Sequence, residues 1–285
     1  MSTEFMDAFS SVEHSDEKDT PVLNIEDASI CNSSDTMTER EMLDYMVIVL
    51  ARSLSCATAF KGGYMLNQLL GDASRLTHDV DFSIMYKKDY EQVKSILRKI
   101  GDDFVQRNLI SRYKIKEDIE PRMSGGADFY AADGSKVLGV DVGLHDISWG
   151  TKHYNLSIAD VEGFTIERML SDKLIAITTR ARFRRTKDLY DFYAITDFFD
   201  VDLHKLNEYV TLRGGAQWEN IPFNDVILRE YEHAWEKLVL ENSFGTGSIE
   251  KPPFEVVLYR YYKIALPLKS NDFAERWDHK YGRCI

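Results

Sequence analysis

At 285 residues, with 44% apolar and 29% charged side chains, the chain can bury a sizeable core and has the balance of a globular protein of one large or two small domains. Cys31, Cys56 and Cys284 are scattered without a Cys-x-x-Cys pair, and so support neither a disulfide framework nor a zinc site. No apolar run approaches a membrane span and no basic region precedes an apolar one at the N-terminus, so a cytoplasmic protein with no membrane partner is expected.

The net charge of -12 is unevenly placed. Residues 1–44 carry 12 acidic and 2 basic side chains, which leaves only -2 for the rest. Global acidity therefore does not exclude an anionic substrate in a local cleft.

Residues 1–36, rich in Ser, Asp, Glu and Thr, read as an acidic, loosely ordered extension. Thr38 is placed to cap a helix through Met42, Met46, Val49, Leu50 and Leu54. A short buried strand at Thr58-Ala59-Phe60 leads into Lys61-Gly62-Gly63, a helix from about Tyr64 to Leu70, and Gly71 as its stop. A loop over 72–78 delivers the strand Asp79-Val80-Asp81-Phe82-Ser83-Ile84. A helix from about Asp89 to Ile100, closed by Gly101, follows. Strands are expected around 110–117 and 127–131, and Ala132-Asp133-Gly134-Ser135 signals a hairpin into a strand over 136–144. From about Ile166 the pattern turns helical, no strand is expected after 160, and Gly214-Gly215 and Phe244-Gly245-Thr246-Gly247 mark breaks between helices. The expected architecture is α/β (α+β): a mixed-sheet domain over 37–160, then an all-helical domain over 161–285 that completes the active site.

Alternation places Asp79, Asp81 and Ser83 on one face of their strand and Val80, Phe82 and Ile84 on the other. Two bare carboxylates on one face demand compensation, which a divalent metal provides. The glycine pair before a helix lets phosphate oxygens approach backbone amides and the positive helix terminus. Asp141 is the natural third carboxylate for a pair of magnesium ions; pairing with Arg112 or Arg122 is the competing reading. Lys173 and Arg180 stand seven apart, as on one helical face, and Arg180, Arg182, Arg184, Arg185 and Lys187 form a basic run. Asp188 and Asp191, at i and i+3, are placed to orient such cations toward a triphosphate; a solvated salt-bridged surface is the bland alternative. The seven histidines are dispersed and read mostly as surface or packing residues. Tyr259, Tyr261 and Tyr262, at helical spacing, read as core rather than as a base-stacking platform.

The ordered set Lys61-Gly62-Gly63, Arg75, Asp79 and Asp81, Asp141, Lys173 and Lys187-Asp188-Leu189-Tyr190-Asp191 resembles the AbiEii-type nucleotidyltransferase toxins, the enzymatic half of AbiEi/AbiEii and MenA/MenT toxin–antitoxin systems. The resemblance covers roughly residues 40–200. It implies a polymerase-β-like nucleotidyltransferase domain followed by a helical region. By resemblance, Asp79, Asp81 and Asp141 ligate Mg2+ (or Mn2+), and Lys61, Gly62, Gly63, Arg75, Lys173, Arg180 and Asp188 serve the nucleotide. The catalytic set it implies is Asp79, Asp81, Asp141, Lys173 and Asp191. The reaction implied is transfer of NMP from an NTP to RNA, notably the tRNA 3′ end, with pyrophosphate released and a cognate antitoxin as partner. A small-molecule acceptor such as an aminoglycoside, or a catalytically silent binding protein, are the alternatives. The chain departs from the family pattern at Tyr64, where Ser or Thr is usual, at His78, where an acid often stands, and at Lys187, where Arg is usual.

Overall fold

The computed structural model of the chain describes residues 37–121, 123–179, 182–218, 225–240 and 249–285. The acidic leader at 1–36, Arg122, Arg180 and the break at 244–247 lie outside them.

Thr38 starts helix α1 (Glu39–Ser53) with a capping box: its hydroxyl accepts from the Glu41 amide at 3.2 Å, and the Glu41 carboxylate accepts from the Thr38 amide at 2.7 Å. Strand β1 (Thr58–Lys61) runs straight into α2 (Gly62–Leu70), which Gly71 ends at φ 58°. Strand β2 (Asp79–Ile84) follows. Next come α3 (Tyr90–Gln106), β3 (Arg112–Lys116), β4 (Gly125–Tyr130) and β5 (Lys136–Leu144), with the expected hairpin turn joining the last two.

Gly101 does not close α3; the helix runs five residues further, to Gln106. A Cβ at Gly101 would lie 2.5 Å from the Tyr113 ring, so this glycine admits close packing of β3 and is not a stop signal.

Strands β6 (Thr151–Asn155) and β7 (Asp160–Phe164) form a hairpin that the sequence pattern did not reveal. Strand β7 pairs parallel to β1, extending the sheet to seven strands in the order β3-β4-β5-β2-β1-β7-β6. The sheet is mixed: β2 is antiparallel to β1 and parallel to β5. Phe60, Val80, Phe82, Val140, Val142 and Phe129 are buried on its apolar face. There α3 packs through Phe104 against Phe129 at 5.9 Å, and α1 through Tyr45 against Phe104 at 5.6 Å.

The C-terminal half is helical as expected: α4 (Ile166–Ile177), α5 (Arg182–Phe198), α6 (Leu203–Leu212), α7 (Asp225–Lys237) and α8 (Phe254–Ser270). One addition is a small sheet of β8 (Val201–Asp202), β9 (Arg276–Asp278) and β10 (Arg283–Cys284), tied to α5 where the Trp277 indole donates to the Thr196 carbonyl at 2.7 Å. Gly214 and Gly215 fall between α6 and α7. Tyr261 is fully buried against Phe192 at 5.3 Å, whereas Tyr259 is exposed. Helix α4 ends at Ile177, with Thr178 as its cap; Arg180, expected on the face that carries Lys173, lies outside the described residues.

Candidate active site

The polar face of the sheet is organised in rows across the strands. In the first, Lys61 stands opposite Asp81, Asp81 opposite Asp141, Asp141 opposite Gly126, and Gly126 opposite Lys116. Parallel pairing of β2 with β5 thus brings the third carboxylate beside the Asp-x-Asp strand although sixty residues separate them in sequence. Because Gly126 lacks a side chain, Lys116 reaches past it and its ammonium donates to Asp141 Oδ1 at 2.6 Å. Gly126 itself is at φ 122°, and a Cβ there would fall 1.8 Å from the Val140 carbonyl oxygen, so no other residue fits. Among the described residues the cation paired with Asp141 is Lys116, with the Ser124 hydroxyl also donating at 3.4 Å; Arg112 lies instead over the Tyr130 ring at 4.2 Å.

The second row sets Asp79 opposite Gly139 and Gly139 opposite Asp128. Above the glycine, the Lys136 ammonium bridges Asp79 and Asp128 at 2.9 Å each. Burial opposes its charge, but the bonds to the two carboxylates hold its pKa above the usual lysine value. In the third row Ser83 faces Gly143, and the His145 ring packs over that glycine. Lys116, Lys136 and His145 are the site residues that residue-by-residue reading misses. The glycines opposite and between the acids were the available signal.

Asp81 is a perturbed acid. Burial, reinforced by Asp141 and Asp79 and opposed by Lys61 and Lys173, pushes its pKa up to about 6. It packs against the backbone of Gly62, which sits at φ 71° where a Cβ would come 2.2 Å from Asp81 Oδ2. A Cβ at Gly63 would come 2.9 Å from Thr77 Oγ1. The glycine pair is thus demanded by the protein's own contacts, and both glycines line a cleft. Gly62→Ala is expected to destabilise by roughly 1–3 kcal/mol and to displace Asp81. Gly71→Ala, also at positive φ but facing open space, is the control in thermal melts. Equal melting of the two variants would show that Asp81 is not what requires the glycine.

Helices α4 and α5 supply the cations and the acids that orient them. The Lys173 ammonium donates to Asp188 at 2.9 Å and to Asp191 at 2.6 Å. Arg75 grips Asp191 through two nitrogens at 2.8 and 2.9 Å, and Arg185 reaches Asp188 at 3.1 Å. Burial works against the charges of Lys173 and Asp191, yet each partner prevails: the lysine pKa is raised and the Asp191 pKa lowered, the latter by Arg75 and Lys173. Asp188 and Asp191 therefore share a face as their spacing implies. Of the basic run, Arg185 and Lys187 are placed, and Arg180 and the side chains of Arg182 and Arg184 lie outside the described residues.

Two clefts open on this face. One, of about 380 Å³, is lined by Gly62, Gly63, Arg75, Asp79, Lys173 and Lys187 among others; the second, of about 490 Å³, is lined by Glu120, Ser124, Asp141, His145 and Arg185 among others. Lys61 and Asp81 line both.

This combination, carboxylates in register on a mixed sheet beside a glycine pair and a buried lysine–aspartate network, coincides with a family match. The family model of the nucleotidyl transferase AbiEii toxin of type IV toxin–antitoxin systems matches residues 48–258. The chain belongs to the AbiEii family. It is a nucleotidyltransferase of that toxin family. Its fold is similar to that of MenT4, a nucleotidyltransferase toxin from Mycobacterium tuberculosis H37Rv, with a TM-score of 0.52 and 13% identity over 81% of this chain and 82% of that one. JHP933 from Helicobacter pylori gives a TM-score of 0.49 and 16% identity over 82% of this chain and 91% of that one. No curated protein sequence matches the chain.

Within this AbiEii-family chain, the departures at Tyr64 and His78 have structural explanations. Tyr64 is fully buried, donates its hydroxyl to Asp44 on α1 and carries Arg40 over its ring at 5.1 Å. It is not among the residues lining either cleft, so it fixes α2 against α1. His78 pairs with Glu39 at 2.9 Å on the surface. Lys187 lines the first cleft. Among the described residues no helix is long and apolar enough to cross a membrane.

Proposed function

We propose that this AbiEii-family enzyme transfers a nucleoside monophosphate from an NTP to the 3′ end of an RNA, a tRNA foremost, and so acts as a toxin restrained by a cognate antitoxin. The observation that carries the reading is the register Asp81–Asp141: Asp81 lines the glycine-pair cleft together with Gly62, Gly63, Arg75, Lys173 and Lys187, and also the adjoining cleft that Asp141 lines.

In-line attack on the α-phosphorus needs positioning and charge neutralisation more than covalent chemistry. The free amides at the start of α2, where Lys61 supplies no side-chain cap, and the glycine backbone suit the β- and γ-phosphates. Lys173, held by Asp188 and Asp191, and Arg75, held by Asp191, present fixed cations to the same region. Their salt bridges keep them in place, so little reorganisation is needed when the triphosphate arrives.

Asp79, Asp81 and Asp141 offer oxygen donors along one face, the ligand chemistry that Mg2+ or Mn2+ takes, and the donor set fits such an ion. Among the described residues the three carboxylates do not form a ready-made cluster, since Lys136 and Lys116 hold Asp79 and Asp141. Bound there, the metal would neutralise phosphate charge and lower the pKa of the acceptor hydroxyl.

The test is incubation of the protein with Mg2+, labelled NTPs and total RNA. Label in tRNA from the wild type, lost in Asp79→Ala, supports the reading. Transfer to an aminoglycoside but to no RNA would redirect it to a small-molecule acceptor, and growth of bacteria expressing wild type at the rate of Asp79→Ala would count against toxicity.

A further inference from the structure

A transfer enzyme must seat two substrates on either side of the reacting phosphorus. If the triphosphate occupies the glycine-pair cleft, as the reading above has it, the cleft beyond Lys61 and Asp81 is left for the acceptor. On its floor is His145, whose ring lies over Gly143, two positions from Asp141 on the same strand face and hence about 7 Å along it.

The hydrogen bonds assign the tautomer of this ring. Nδ1 lies 2.9 Å from Ser83 Oγ and 3.4 Å from the Lys61 ammonium. Burial lowers the Lys61 pKa while Asp172 and Asp81 favour its charge; as an ammonium Lys61 can only donate, which assigns the lone pair to Nδ1 and the ring proton to Nε2. Burial, reinforced by Lys61, Arg213 and Arg168, pushes the His145 pKa down to about 3, which keeps the ring neutral at working pH. Among the described residues Nε2 has no partner. A neutral donor in a cleft lined by Lys61 and Arg185 as well as by Asp81, Glu120 and Asp141 suits a hydroxyl oxygen of the acceptor.

We infer that the Nε2–H of His145 donates to the 2′-oxygen of the acceptor's terminal ribose, beside a 3′-oxygen held at Asp141, and so selects an RNA end over a DNA end. The vicinal hydroxyl is the group that separates these two acceptors, and a single directed donor is enough to read it. His145 is in this sense a positioning and specificity residue. The inference rests on the RNA-acceptor reading.

The test compares transfer to tRNA ending in adenosine with transfer to the same tRNA ending in 2′-deoxyadenosine. Wild type is expected to favour the ribose end about 10-fold in kcat/KM, the worth of one hydrogen bond. In His145→Ala the ratio should collapse to near one. His145→Gln places an amide N–H near the Nε2 position and should restore most of the ratio. His145→Asn can replace only the bond to Ser83 and should not. A ratio restored by Asn, or one that survives in His145→Ala, would overturn the role, as would a wild type indifferent to the 2′-hydroxyl. A wild type that transfers to neither tRNA would instead overturn the acceptor reading and this inference with it.

Discussion

Asp81→Asn is expected to abolish nucleotide transfer and yet raise the melting temperature at neutral pH. The half-buried carboxyl packs against the Gly62 backbone beside two other acids, and its pKa stands at about 6 against an ordinary 3.8. A carboxyl whose folded pKa is raised favours folding while protonated. Its contribution is present below about pH 4 and is lost as pH climbs to about 6, because the ionised form is better solvated in the unfolded chain. The rise from 3.8 to about 6 corresponds to about 3 kcal/mol at most, reduced in practice by solvent access from the clefts and by the attraction of Lys61 that the substitution also removes. Melting curves in EDTA should therefore show wild type weakening between pH 4 and 7 relative to Asp81→Asn, with the variant a few degrees higher at pH 7. A variant that melts below wild type at pH 7 would show that Asp81 is a net stabiliser of the metal-free fold. Such a result would remove the strained-carboxylate account.

Lys173→Met should have the opposite effect on stability. Removing the ammonium leaves Asp188 and Asp191 without their shared partner in a buried setting, and breaking such a pair costs about 3–5 kcal/mol. Arg75 still holds Asp191 and Arg185 still holds Asp188, which places the expected loss toward the lower end. The double variant Lys173→Met with Asp188→Asn should recover part of it, since one uncompensated charge is gone. Acid melts supply an independent check. The lowered pKa of Asp191 means that its contribution is present above the unfolded value and is lost as pH falls below about 4. Transfer by Lys173→Met, assayed well below its melting point, should fall about 10²–10³-fold if the ammonium faces the phosphates. Unchanged melting together with near-normal transfer would leave the lysine without either role.

Most of the first half was legible because its signals are local. Capping at Thr38, the alternation of Asp79, Asp81 and Ser83, the turn at Ala132–Ser135 and the stop at Gly71 each depend on a few neighbouring residues. Gly101 misled because a glycine that ends a helix and one that admits a packed ring look alike in sequence; only the Tyr113 contact separates them. The β6–β7 hairpin was hidden because its strands carry Lys152, His153, Asp160 and Glu162 at exposed positions, with few apolar positions to set a period.

The candidate site divides in the same way. That Asp79 and Asp81 share a face, and that Asp188 and Asp191 share another, follows from the periods of strand and helix alone. Which residues those faces meet does not, because strand order and register arise from long-range pairing that no short window records. Parallel pairing of β2 with β5 chose Asp141 as the neighbour of Asp81, and the side-chain-free positions at Gly126, Gly139 and Gly143 admitted Lys116, Lys136 and His145. The acids were thus written in the sequence, whereas their counter-cations and the histidine beside them were decided by how the sheet is assembled.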